Sequence, residues 1–233
     1  MRQVDLHRAV LAGLKDWRPY LDANSGLPGP RGNLELVAAC AEEADLARAE
    51  QLLATDDEFA VVCGVVALGR HLAHGDHTHL DALHTYAADE RWRVREGVAM
   101  ALQRAADDAP ELAFEIAERW SLDGDPLVRR AAVAAVCEPR LLRDRRFATR
   151  ALTILSEITA GLARVPAERR RDPSLRTLRQ ALGYGWSVVV AADPAAALPV
   201  FLRLAEEPDA DIAWIVCENL KKKRLQRVLD ATA

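Results

Sequence analysis

From residue 44 onward, apolar residues return every three to four positions in run after run, the spacing that gathers them on one face of an α-helix. In PELAFEIAERW (110–120), Leu112, Ile116 and Trp120 make such a face with Ala113 and Ala117. Comparable runs are ADLARAEQLLA (44–54), HLDALHTYAA (79–88), FATRALTILSEITAGLA (147–163) and PAAALPVFLRLAEE (194–207). Between them lies a second set of segments that can be laid over one another without gaps: DDEFAVVCGVVALG (56–69), DERWRVREGVAMAL (89–102) and DGDPLVRRAAVAAV (123–136). Val61, Val94 and Val128 coincide, as do Gly64, Gly97 and Ala131, and Asp56, Asp89 and Asp123 each stand six positions before Val62, Arg95 and Arg129. A fourth copy starts at Asp172, where Arg176 or Arg179 takes the arginine place, and a fifth at Glu207.

The pattern predicts pairs of antiparallel helices. Pro110, Pro126, Pro173 and Pro194 stand at predicted helix starts, where the missing N–H costs nothing. A single pair cannot bury its apolar face, so neighbouring pairs are expected to stack into one continuous core. The expected fold is therefore all-α: an α-solenoid of about five helix-pair repeats in a single domain over 1–233, with an N-terminal cap helix and loop over 1–43 and repeats over 44–229. The loop SGLPGPRGN (25–33) reads as a rigid connector, with Asn33 placed to cap a helix beginning at Leu34. Its glycines and Arg31 suit a phosphate cradle less well, because no strand precedes them and no Lys-Ser/Thr pair follows.

Composition supports the helical reading, since Ala, Leu, Arg and Val dominate and half of the 233 residues are apolar. No uncharged apolar stretch is long enough to span a membrane, and the N-terminal run is interrupted by Asp5, His7, Arg8 and Lys15, unlike a signal peptide. Cys40, Cys63, Cys137 and Cys217 are widely spaced among apolar residues, which predicts buried, reduced thiols and a cytoplasmic location. His71, His74, His77 and His79 crowd a predicted loop with Asp76 and Asp81; the donor types suit zinc, but such spacing arises easily in a solvated loop, and no metal or other cofactor is expected. Trp17, Trp120 and Trp214 fall on apolar helix faces and read as core, while Trp186 in ALGYGW is left open.

The net charge of −4 hides an asymmetry. Between Pro126 and Gln180 there are 13 Arg against five acidic residues, a local balance of +8 that leaves −12 for the rest of the chain. Arg95, Arg129 and Arg176 or Arg179 recur at one repeat position, while Arg130, Arg140, Arg143 and Arg146 are additional charges. Such residues serve either as structural bonds between repeats or as a track for a phosphate backbone, because guanidinium forks fit phosphate oxygens. KKKRLQR (221–227) either complements helix carboxyl ends or extends the same track.

The D-x5-[VR] pattern followed by small residues, seen most fully in DPLVRRAAVAAV, resembles HEAT repeats over about 45–229. That resemblance implies that the repeated Asp and Arg places form hydrogen bonds between repeats. VRRAAVAAVCEPRLL, with the later SVVVAADPAAALPVFLRLAEEPDADIAWIVCENLKKKRL, is similar to the HEAT-like repeat superfamily of bacterial alkylpurine DNA glycosylases, over about 91–225. In that family helical repeats cradle a duplex, and an acidic residue beside tryptophans supports loss of a cationic alkylated base. Carried over, the resemblance implies Arg129 and Arg130 at the basic place, with Trp92 and Glu96 as aromatic and acidic candidates one repeat earlier. Glu96 is reached only by slipping one residue, which turns a helical side chain by about 100°. The expected function is accordingly a non-catalytic scaffold that binds DNA or an acidic partner protein on a basic concave surface, through Arg95, Arg129, Arg130, Arg140, Arg143, Arg146, Arg176 and Arg179. Excision of alkylated bases is the alternative, and the oligomeric state is open.

Overall fold

The computed structural model describes residues 2–232, and every regular element among them is helical, fourteen α-helices with two short 3-10 turns. No described helix is long and apolar enough to cross a membrane. The chain divides into two compact units, Met1–Ala113 and Phe114–Ala233, with the division inside a helix.

The first unit contains α1 (Gln3–Gly13), α2 (Arg18–Asn24), α3 (Leu34–Glu43), α4 (Leu46–Leu53), α5 (Glu58–Ala73), α6 (Leu80–Ala87) and α7 (Trp92–Asp108), and α8 (Pro110–Ser121) begins in it. Residues 1–43, expected to hold a cap helix, a loop and a helix beginning at Leu34, carry one helix more, α2. The short α2 opens on Arg18-Pro19, whose proline presets a helical φ in the first turn. Asn33 does cap α3, its side chain accepting from Leu36 N at 3.1 Å. The core runs through α5, where every residue from Phe59 to Gly69 is buried, and α5 packs on α3, α4 and α7. Gly69 sets how closely α5 and α7 approach: a Cβ there would stand 2.1 Å from the Ala101 carbonyl oxygen.

The second unit contains the rest of α8, then α9 (Pro126–Val136), α10 (Arg145–Ala163), α11 (Pro173–Ala192), α12 (Pro194–Leu204), α13 (Ala210–Leu220) and α14 (Lys223–Thr232). Its centre is α11, which packs against α9, α10, α12, α13 and α14. Leu178, Leu182, Trp186 and Val189 are fully buried along it. The Trp186 indole donates to Thr159 Oγ1 at 3.1 Å, which settles this residue as core. Asn219, fully buried on α13, accepts from Ser187 N at 2.8 Å and donates to the carbonyls of Leu182 at 2.9 Å and Ile215 at 2.8 Å.

Seven helix starts across the two units follow one rule. Asp45, Asp57, Asp125, Asp144, Asp172, Asp193 and Asp209 each accept a first-turn amide as N-cap, and the prolines 126, 173 and 194 sit at N1. Two core expectations need correction. Cys40, Cys63 and Cys137 are buried, but Cys217 is exposed on the solvent side of α13. Burial, followed by the neighbouring Cys40 thiol, pushes Cys63 well up, and burial pushes Cys137 up, so neither is poised as a thiolate. Trp214 is half-buried rather than core, because its indole lies over Gly183 on α11 and under the Arg179 guanidinium, 4.6 Å from the ring centroid.

Candidate functional site

The repeated arginines turn back onto their own chain. Arg95 Nη1 donates to the carbonyls of Asp89 at 2.5 Å and Glu90 at 2.9 Å, and Arg129 Nη2 donates to the carbonyl of Gly124 at 3.4 Å. Both reach the turn that precedes their helix, which is why an arginine recurs six positions after an aspartate: the turn exposes carbonyls that a long donor one helical turn later can satisfy. Asp123 completes that turn by accepting from Asp125 N at 2.8 Å, as Asp89 does from Arg91 N at 2.8 Å. The Arg91 guanidinium beside Asp89 holds its carboxyl below the usual range. Arg130 is only 8% exposed.

Trp92 and Glu96 lie four residues apart on α7, and Trp92 is 51% exposed with Arg93 stacked 4.6 Å from its ring centroid. Arg93 also pairs with Glu58 at 2.9 Å and lines a cleft of about 420 Å³ with Asp22, Pro28, Asp57 and Phe59. Three carboxylates face one guanidinium there, so the loop SGLPGPRGN borders a negative cleft rather than a phosphate cradle.

In the second unit much of the linear excess of arginine is neutralised by carboxylates from elsewhere in the sequence. Arg145 pairs with Asp193 at 2.9 Å, Arg150 with Glu118 at 2.6 Å, Arg170 with Asp209 at 2.5 Å, and Arg179 with Asp211. All four of these carboxylates lie outside 126–180. Arg170 further donates to the carbonyls of Val165 at 2.9 Å and Ala163 at 2.8 Å, tying the end of α10 to the start of α13. Burial opposes ionisation of Asp209, yet the Arg170 guanidinium and the amides of Ile212 and Asp211 outweigh it and hold the carboxyl low. Arg140 is 3.5 Å from Glu138, and Arg146 is 2.8 Å from Asp144 while lying over Phe147.

A different set of cations remains. Arg143, in the 3-10 turn Leu141–Arg143, and Arg164, Arg169, Arg171 and Arg176, between the end of α10 and the first turn of α11, are exposed. Among the described residues none of these five forms a salt bridge. Further along α11, Arg176, Gln180 and Tyr184 are exposed at intervals of four and share a helix face. Tyr184 is 43% exposed; Arg224 donates to its hydroxyl at 2.8 Å and lies 4.8 Å from its ring centroid, with Lys222 at 5.9 Å. Of this patch, the sequence offered the cations of KKKRLQR but not the tyrosine they meet, whose signal is the Gly183-Tyr184-Gly185 triplet: its glycines admit Trp214 and Cys137 against α11 and leave the tyrosine outward.

Three of the four histidines of 71–79 find separate partners. His71 bonds the Ala44 carbonyl at 3.0 Å, His74 the Arg70 carbonyl at 2.8 Å, and His79 the Glu50 carboxylate at 3.1 Å. Among the described residues no group of three or more His, Cys, Asp or Glu side chains is arranged to hold a metal ion. In comparison with known proteins, the sequence matches no family model and no curated protein.

Proposed function

We propose that the protein is a non-catalytic helical-repeat binding module, built as a HEAT-like α-solenoid of about five helix pairs with an N-terminal cap, that binds DNA through a cationic surface of its second unit. The solenoid reading is supported by α5 packing on α7, and by α11 packing on both α9 and α13, since these are the helices that carry the overlaid sequence copies. The binding reading rests on one observation: five exposed arginines, Arg143, Arg164, Arg169, Arg171 and Arg176, that form no salt bridge among the described residues. Exposed guanidinium groups not already committed to carboxylates are the ones that gain by neutralising phosphates and releasing counterions. Tyr184, flanked by Arg224 and Lys222, adds an aromatic surface suited to a nucleic acid rather than to an acidic protein.

Fluorescence anisotropy of a labelled duplex across a salt series tests this. Wild-type binding is expected to weaken steeply with salt, and Arg169→Glu/Arg171→Glu/Arg176→Glu to lower affinity at every salt and flatten the salt slope by about three. No binding at low salt overturns the DNA reading and leaves an acidic protein as the partner. The excision alternative draws on the exposure of Trp92 on the same α7 face as Glu96. It requires release of free base from an alkylated duplex, abolished by Glu96→Gln.

A further inference from the structure

Among the described aromatic residues of the second unit, Tyr184 alone is exposed. Its side chain is fixed at both ends. At the backbone, Gly183 and Gly185 seat α11 tightly: a Cβ on the first would stand 2.8 Å from Trp214 Cζ3, and on the second 2.8 Å from Cys137 Sγ, so α11 has no room to turn and draw the tyrosine inward. At the far end Arg224 donates to the hydroxyl at 2.8 Å. The Arg224 guanidinium also lies 4.8 Å from the ring centroid, and the Lys222 ammonium 5.9 Å. Both cations come from residues 222–224, at the start of α14, which packs on α11.

With its hydroxyl held by Arg224, Tyr184 presents chiefly its ring to solvent. A fixed flat ring beside cations suits a flat group that carries negative charge next to it, which describes a nucleotide: the base lies on the ring and the phosphate meets a cation. An acidic peptide would engage the cations and leave the ring idle. Within an intact duplex each base is stacked between its neighbours and shows a protein only its edges, so the ring finds a partner only where a base is unpaired. Gln180 and Arg176 stand four and eight residues earlier on the same exposed face of α11, and Arg176 forms no salt bridge among the described residues. Eight helical residues span about 12 Å, so a strand with one base on Tyr184 can run along α11 to Arg176 and the cations before it.

We infer that Tyr184 is a stacking platform for an unpaired base, and that the second unit takes single-stranded DNA, or the single-stranded part of a partly paired molecule, along the Arg176–Tyr184 face of α11. The inference rests on the DNA binding proposed above and adds to it the class of DNA.

Anisotropy titrations of the full chain at low salt test it with three labelled probes: the duplex, oligothymidine, and a strand of equal length made of abasic sites, which keeps the phosphates and lacks the bases. Wild type is expected to bind oligothymidine about tenfold more tightly than the abasic strand. Tyr184→Ala should abolish that ratio, while Tyr184→Phe, which keeps the ring, should preserve it. Arg176→Glu should weaken both strands alike and leave the ratio unchanged. Because Tyr184 is exposed and alanine is the better helix former, the far-UV CD spectrum of Tyr184→Ala should not move. Equal wild-type affinities for the two strands, a ratio that persists in Tyr184→Ala, or one that is lost in Tyr184→Phe overturns the platform and leaves the DNA reading standing. Failure of all three probes to bind overturns the DNA reading and the platform together.

Discussion

Two residues three positions apart in the sequence, Tyr184 and Asn219's partner Ser187, show how much a single side chain's surroundings decide. Ser187 is buried and its amide donates to Asn219, while Tyr184 is 43% exposed and stacked with cations. Asn219 is a polar residue on the buried face of α13, and periodicity alone gives no reason for it. Its amide group serves one N–H and two carbonyls in a buried place, so removing it strands groups that water cannot reach. Asn219→Ala is expected to cost about 2–3 kcal/mol in urea denaturation, with unchanged spectra in the folded baseline. A cost within error of zero would mean that the buried amide groups are satisfied some other way.

At the scale of the element, the sequence announces helices through their ends. Proline at N1 and aspartate at the N-cap act locally, so their meaning survives without tertiary information. Glycine does not share this property. Gly69 and Gly161 both lie inside helices, where alanine is intrinsically better by about 1 kcal/mol. At Gly161 the nearest neighbour to a new Cβ is Arg129 Nη1 at 3.6 Å, an ordinary contact, while at Gly69 it is the Ala101 carbonyl at 2.1 Å. Gly161→Ala is expected to stabilise by about 0.5–1 kcal/mol, and Gly69→Ala to destabilise by about 1–3 kcal/mol as α5 and α7 are forced apart. Thermal melts of the two variants against wild type check both signs, and a stabilised Gly69→Ala would contradict the close helix contact.

At the scale of the whole molecule, charge is organised by pairing rather than by local count. Asp89 is held low by Arg91, Asp144 by Arg146, Asp172 by bonds from Ser174, and Asp209 by Arg170 against the opposing effect of burial. Each therefore titrates lower in the folded protein than in the unfolded chain, where an aspartate titrates at about 3.9. Between the two values the unfolded chain binds more protons, so stability rises with pH in that window and is fully present above it. The thermal midpoint is expected to be nearly flat from neutral pH to about 5 and to fall on further acidification through 4 and below. Calorimetry at a series of pH values reads this directly, and a midpoint that rises on acidification below 5 would exclude the pairing as a source of stability.

The sequence by itself determined that the chain is helical, where most of its helices begin, and which segments repeat, because periodicity, proline and N-cap chemistry act within a few residues. It did not determine which arginines are available. Arg95 and Arg129 fold back onto turn carbonyls, and Arg130 is buried. Arg145, Arg150, Arg170 and Arg179 meet carboxylates 32 to 48 residues away. The cations left exposed and the outward Tyr184 emerge only once the helices are packed. Exposure and ion pairing depend on groups distant in sequence, which folding alone brings within a few ångströms.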